Sequence, residues 1–190
     1  MKYEDERRET PFETRDHMLD IRQHLEELCF RGFGLRKRKA PKIPGNFSEW
    51  SPESQERWKN SQAEMLEWQQ KCDRDFVEEE SKWMRQTARD IVHLIDRANR
   101  MSPQTEHECD IQRDMQNEAL GLCSNMEREL NHIAATIPCN KNFAVKLTKD
   151  IEHEIALIQG WRKSCNPIRA EAMKKDAIRR MKATEAARQD

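Results

Sequence analysis

Three acid–histidine pairs in this chain have the spacing at which a helix aims both side chains at one ion: Glu129 with His132, Asp90 with His93, and Asp150 with His153. Residues three apart share a helix face, and di-iron bundles combine two Glu-x-x-His pairs with two further inward carboxylates. Only one pair here carries the glutamate, and the apolar stripes around all three leave them at the edges. They read as surface pairs, and no metal or cofactor is expected. His107 and Cys109 would need two distant ligands to close a metal site. The six cysteines (Cys29, Cys72, Cys109, Cys123, Cys139 and Cys165) include no Cys-x-x-Cys pair. With a densely charged stretch from Met1 to Arg15 in place of an export signal, they are expected to be reduced thiols in a cytoplasmic protein. None has a histidine and an orienting acid at helix spacing, so no nucleophile is indicated. Gly32 and Gly34 lack the third glycine or the lysine–serine pair of a phosphate loop, and no Gly-x-Ser-x-Gly elbow occurs. The chain is expected not to be an enzyme.

Charge carries a clearer signal than catalysis. The 34 basic and 35 acidic residues leave a formal net charge of −1, but they are not evenly placed. Residues 1–28 are net −4 and residues 29–42 net +6, residues 43–161 are net −8 and residues 162–190 net +5. Two basic segments therefore flank an acidic body, a pattern that bears on partners more than on fold. The first holds Arg31, Arg36, Lys37, Arg38, Lys39 and Lys42 with no acid among them. Cations on a flexible segment bind phosphates by releasing counterions, and Phe33 beside them is of a type that stacks on a base. The second offers Arg162, Lys163, Arg169, Lys174, Lys175, Arg179 and Arg180. These thirteen residues are the candidate nucleic-acid contacts. The competing reading of the first segment is a solvated linker or an arm that docks on an acidic protein. Glu78-Glu79-Glu80 reads as a solvated helix face.

The elements that must carry these residues are helices. Five glycines and seven prolines in 190 residues exclude collagen-like and linker-rich chains, and no apolar run reaches the ~18 residues of a membrane span. Thr14 caps a first helix with Met18, Ile21, Leu25 and Leu28 inward, which stops at Arg31-Gly32-Phe33-Gly34. Pro41, Pro44 and Gly45 make Leu35–Asn46 an extended arm. Ser51-Pro52-Glu53 is a strong helix start, and nothing breaks the pattern before Asn99. One helix of that length would run about 73 Å at 1.5 Å per residue, long for a domain of this size. Two antiparallel helices are therefore expected, with a break near Gln70–Asp75. Trp58, Met65, Trp68 and Cys72 would form one inward stripe, and Phe76, Trp83, Ala88, Ile91, Leu94, Ile95 and Ala98 the other. Met101-Ser102-Pro103 leads to a third helix over Glu106–Thr136, and Pro138-Cys139-Asn140 to a fourth over Lys141–Lys163. Ile168–Asp190 has good helix formers with a thin apolar stripe (Ile168, Met173, Ile178 and Met181). The expected fold is all-α: an up-and-down antiparallel four-helix bundle over 51–167. It is preceded by an N-terminal extension of short helix and basic arm over 1–50, and followed by a basic helical tail over 168–190.

Arg97-Ala98-Asn99, then Arg113-x-x-Gln116-x-x-Ala119-Leu120-x-x-Cys123, then Trp161-Arg162-Lys163-Ser164 follow one another along this body. In their order and spacing they resemble the four-helix-bundle proteins related to Avd, the accessory variability determinant of diversity-generating retroelements. The resemblance covers roughly Ser51–Pro167. It implies a non-enzymatic accessory subunit that assembles as a pentamer, binds template RNA (or DNA) through a basic surface, and associates with a reverse transcriptase during mutagenic cDNA synthesis. Members of that family are strongly basic, whereas this body is net −8, so the contacting cations would come from the arm and tail. Arg97, Arg113, Arg162 and Lys163 are the candidates that the resemblance carries over. A protein-interaction bundle without nucleic acid is the alternative reading, and a metal-binding oxidase bundle the third.

Overall fold

The computed structural model describes residues 12–186 and residue 188. Its elements are α1 (Glu13–Phe30), a 3₁₀ turn (Gly32–Gly34), a second 3₁₀ turn (Phe47–Glu49), α2 (Pro52–Arg100), α3 (Glu106–Thr136), α4 (Asn142–Ser164) and α5 (Asn166–Ala186). No strand occurs among the described residues, in agreement with the all-α expectation. None of the helices is long and apolar enough to cross a membrane.

Local chemistry explains where the helices begin. Ser51 Oγ accepts from the Ser54 amide and Pro52 opens the first turn of α2, satisfying one donor and removing another that would go unpaired. α3 starts with a complete capping box, in which Thr105 Oγ1 accepts from the Glu108 amide and Glu108 Oε2 accepts from the Thr105 amide. Thr14, expected to cap α1, is instead a buried residue inside it. The cap position falls to Phe12, whose carbonyl accepts from the amides of Arg15 and Asp16.

The expected break near Gln70–Asp75 does not occur: α2 is a single helix of 49 residues. Its buried positions begin at Asp73 and continue through Val77, Met84, Ala88, Ile91 and Ile95 to Ala98. Residues 52–72 bury nothing fully and run beyond the core, so the helix never has to fit within it. The stripe drawn through Trp58, Met65, Trp68 and Cys72 is correspondingly not core. Trp68 is 66% exposed and Met65 44%, Cys72 is exposed, and Trp58 is half-buried.

The place left by that segment is taken by α1. Met18, Ile21 and Leu25 lie in the same core as Met84, Ile91 and Ile95 of α2, Met126, Leu130 and Ile133 of α3, and Ile151 and Ile158 of α4. Each such side chain stabilises the fold by about 1.5–3 kcal/mol on burial. Residues 13–30 thus contribute directly to the core. α1 packs on α2 and α4, and α3 packs on the same two helices.

α5 rests on the start of α3. Ala172 is its one buried residue, while Ile168, Met173, Ile178 and Met181, the stripe read from the sequence, are all exposed. Polar contacts hold it instead. Asp176 Oδ2 accepts from the Glu106 amide at 2.8 Å, placing a carboxylate at the positive end of α3, and Arg169 bridges to Asp110 at 2.8 Å.

Candidate nucleic-acid interface

The first basic segment begins in a sharp reversal. Gly32, Phe33 and Gly34 all have positive φ, at 56°, 53° and 68°, a run of left-handed residues that two glycines tolerate and a phenylalanine does not favour. What holds Phe33 there is burial. It is fully enclosed, its ring 6.0 Å from that of Phe143 at the head of α4. Phe33 is therefore a core residue and is not available to stack on a base. The exposed aromatic nearby is Phe30, 78% exposed, with the Arg85 guanidinium 5.8 Å from its ring centre.

From this turn the chain becomes a strap laid along the free half of α2. The Arg36 amide donates to the Pro138 carbonyl at 2.8 Å. Arg38 forks onto Asp73 with two bonds, Nη2 to Oδ1 at 2.6 Å and Nε to Oδ2 at 2.7 Å. Asp73 is buried and Arg38 partly so, and the carboxylate pushes the guanidinium pKa further up. Further on, Ala40, Pro41 and Ile43 face Trp58, Lys59 and Leu66 of α2 across an open groove of about 260 Å³. The strap closes on an aromatic group in which Phe47 contacts Trp50 at 5.4 Å and Trp58 at 5.1 Å, while Gln55 Nε2 donates to the Phe47 and Trp50 carbonyls. The segment is extended, as its prolines require, yet it is fastened at both ends and in the middle.

Fastening sorts the cations by role. Arg38 is an anchor. Arg31, Arg36, Lys37, Lys39 and Lys42 are exposed, and among the described residues none forms an ion pair. Lys59, its ammonium 5.8 Å from the Phe47 ring centre, and Arg74, beside Leu35 and Lys37, extend the basic strip onto α2.

The second basic segment lies elsewhere and is largely matched by acids. Arg169 pairs with Asp110, Arg180 with Glu106, Arg179 with Asp176 and Lys175 with Glu171. Arg162 donates to Asn117 Oδ1 at 2.7 Å, leaving Lys163 and Lys174 exposed and outside any ion pair among the described residues. Arg113, carried over by the resemblance, donates to Asn166 Oδ1 at 3.3 Å, and Gln116 lies 3.9 Å from Cys165 Sγ. These residues tie α3 to the junction of α4 and α5. Arg97 is exposed at the end of α2. The strap meets the chain just past the end of α3, at Pro138, and the tail meets α3 at Asp110. At 1.5 Å per residue those points are roughly 40 Å apart, so the two segments do not form one surface.

One titratable pair escaped the sequence reading. Glu154 is fully buried in α4, its Oε2 2.8 Å from His17 Nδ1 of α1, and its Oε1 has no partner among the described residues. The His17 ring meets His153 edge-on at 4.8 Å. Burial pushes Glu154 up to about 8. Burial, then His153, pushes His17 down against the opposing pull of Asp150, Asp20 and Glu13. Both shifts favour a neutral pair, with the carboxyl donating to Nδ1. The signal was available, since Ile151, Glu154 and Ile158 step by three and four along the inward face. The Glu154 carboxyl is sealed from solvent, so the pair is structural.

Burial likewise pushes Cys29 up to about 11 and Cys123 up to about 12, keeping both as thiols near neutral pH. Among the described residues no group of three or more histidines, cysteines and acids stands close enough to hold a metal. No protein-family model, curated protein or solved structure matches the chain.

Proposed function

We propose that this chain is a non-enzymatic nucleic-acid-binding scaffold, with the strap from Arg31 to Lys42 as its contact surface. The observation that carries the reading is the division of labour in that strap: Arg38 is taken up by Asp73, and the five exposed cations around it pair with no acid among the described residues. A fastened segment presents those charges at fixed spacing, which reduces the ordering cost of binding a phosphate chain. The groove walled by Pro41, Ile43 and Trp58 gives an unstacked base an apolar seat beside Lys42 and Lys59. Single-stranded RNA, whose bases can be splayed from the backbone, suits this shape better than a duplex.

The helical frame fits the accessory role that the Avd resemblance implies, in which such a protein holds template RNA beside a reverse transcriptase. Phe12 at the head of α1 meets Trp161 near the end of α4, and Phe33 past the end of α1 meets Phe143 at the head of α4. Gln112 near the start of α3 donates to the Ala98 carbonyl near the end of α2. From these end-to-end contacts we infer an up-and-down four-helix bundle of α1, the second half of α2, α3 and α4. The tail cations, matched by local acids, serve to seat α5.

The test is a salt titration of single-stranded RNA binding. Replacing Lys37, Lys39 and Lys42 together by glutamine should weaken binding and lower the slope of log K against log salt by about 2, at roughly 0.7 per neutralised contact. A slope unchanged from the parent protein would remove the strap from the interface.

A further inference from the structure

The free half of α2 has two faces. One is covered by the strap through Gln62, Leu66, Gln70 and Asp73. The other carries Met65 and Cys72 seven residues apart, with Ser61 and Trp68 interleaved, while Trp58, a further step of seven back, is turned to the strap. Met65 is 44% exposed and Trp68 66%, and Cys72 is exposed. A seven-residue step with a second set offset by three is the seam pattern of paired helices. No helix among the described residues covers it.

The geometry points to a second copy of this chain as the occupant, its α2 lying antiparallel on this one about a two-fold axis, a dimer in place of the pentamer that the Avd resemblance implies. Charge fixes both the partner and the register. One flank of the seam holds Arg57, Glu64, Lys71 and Glu78, alternating in sign at seven-residue intervals. When Met65 is set against the partner's Trp68, two-fold symmetry also sets Trp68 against the partner's Met65. The same register brings Glu64 to the partner's Lys71 and Arg57 to the partner's Glu78, each pair occurring twice. All four flanking pairs are then of opposite sign, whereas a parallel in-register pairing would set this charged flank against the partner's uncharged one, at Gln62 and Gln69. Glu64 and Lys71 have no ion-pair partner among the described residues. Arg57 pairs with Glu53 and Glu78 with Lys82, but these exposed contacts within one helix are weak enough to be exchanged. The opposite flank, Gln62 and Gln69, is uncharged and lies next to the strap. Both straps therefore end on the same side of the paired helices.

Sedimentation of the full chain without nucleic acid tests this pairing separately from RNA binding. The parent protein should show a concentration-dependent monomer–dimer equilibrium. E64K and K71E should each weaken it about tenfold, because each converts two attractive contacts into two repulsive ones. An equimolar mixture of E64K with K71E should restore association, as should the double variant E64K/K71E. W68E should abolish the dimer while leaving the helical circular-dichroism signal intact, since the residue is exposed in the single chain. A parent protein that stays monomeric at all concentrations, an assembly of five or any number other than two, or single reversals that bind as tightly as the parent would each overturn the proposal. So would a mixture that fails to recover.

Discussion

Glu154 stands where the step from Ile151 to Ile158 calls for another aliphatic side chain, and its consequence is a pH-dependent stability. A carboxyl held near 8 in the folded chain keeps a proton that the unfolded chain releases around 4.5. Its contribution is therefore complete below about 4.5, declines as pH rises and is gone above about 8. His17 is lowered, so it acts the other way and below its ordinary 6.5, where the unfolded chain binds the extra proton. The fall in stability between pH 6.5 and 8 thus belongs to Glu154. Urea unfolding should show E154Q flattening that fall and exceeding the parent protein at pH 8 by about 1–3 kcal/mol, because the amide still donates to His17 without ionising. Phe33 is the other residue whose effect reaches past itself. Its truncation to alanine should cost about 3–5 kcal/mol, read as a lowered urea midpoint, since both the core contact with Phe143 and the reason for the left-handed turn are lost.

At the scale of elements, the strap depends on a single ion pair with unequal halves. Asp73 is buried and Arg38 has access to solvent. R38A strands a buried carboxylate and should destabilise by about 3 kcal/mol or more, whereas D73A leaves a cation free to turn to water and should cost about 1 kcal/mol. The double variant should recover part of the R38A loss, and chemical unfolding of all three measures the difference. In D73A, trypsin should cut after Lys37 and Lys39 sooner than in the parent protein, with α2 still helical. How much of this was legible in the sequence follows from the range of the interactions. Caps, breakers and periodic stripes are local, so the helix starts at Pro52 and Glu106 could be read directly. The partner of the 52–72 stripe is not local. Trp58, Met65 and Trp68 have core-like spacing, and only the tertiary competition won by α1 shows that they lie outside. The strap hides for the same reason: nothing near Arg38 in sequence marks Asp73, 35 residues on, as its anchor. The positive character of Arg31–Lys42 was visible at once, but which of its cations is free was not.

At the scale of the whole molecule, the near-zero net charge conceals two basic regions at opposite ends, one open and one matched by acids. Tail cations that bind Asp110, Glu106 and Asp176 should matter for docking α5 and little for nucleic acid. R169A should loosen α5, seen as faster amide exchange across Asn166–Ala186, while RNA affinity stays within about twofold, since at most one screened contact is removed. The central claim is that nucleic acid is met at the strap, and amide hydrogen exchange with and without single-stranded RNA tests it most directly. The account predicts new protection confined to residues 35–46 and the facing turns of α2 around Trp58–Leu66, with α5 unchanged. Protection that appears along α5 and leaves the strap untouched, or none at a saturating RNA concentration, would contradict it.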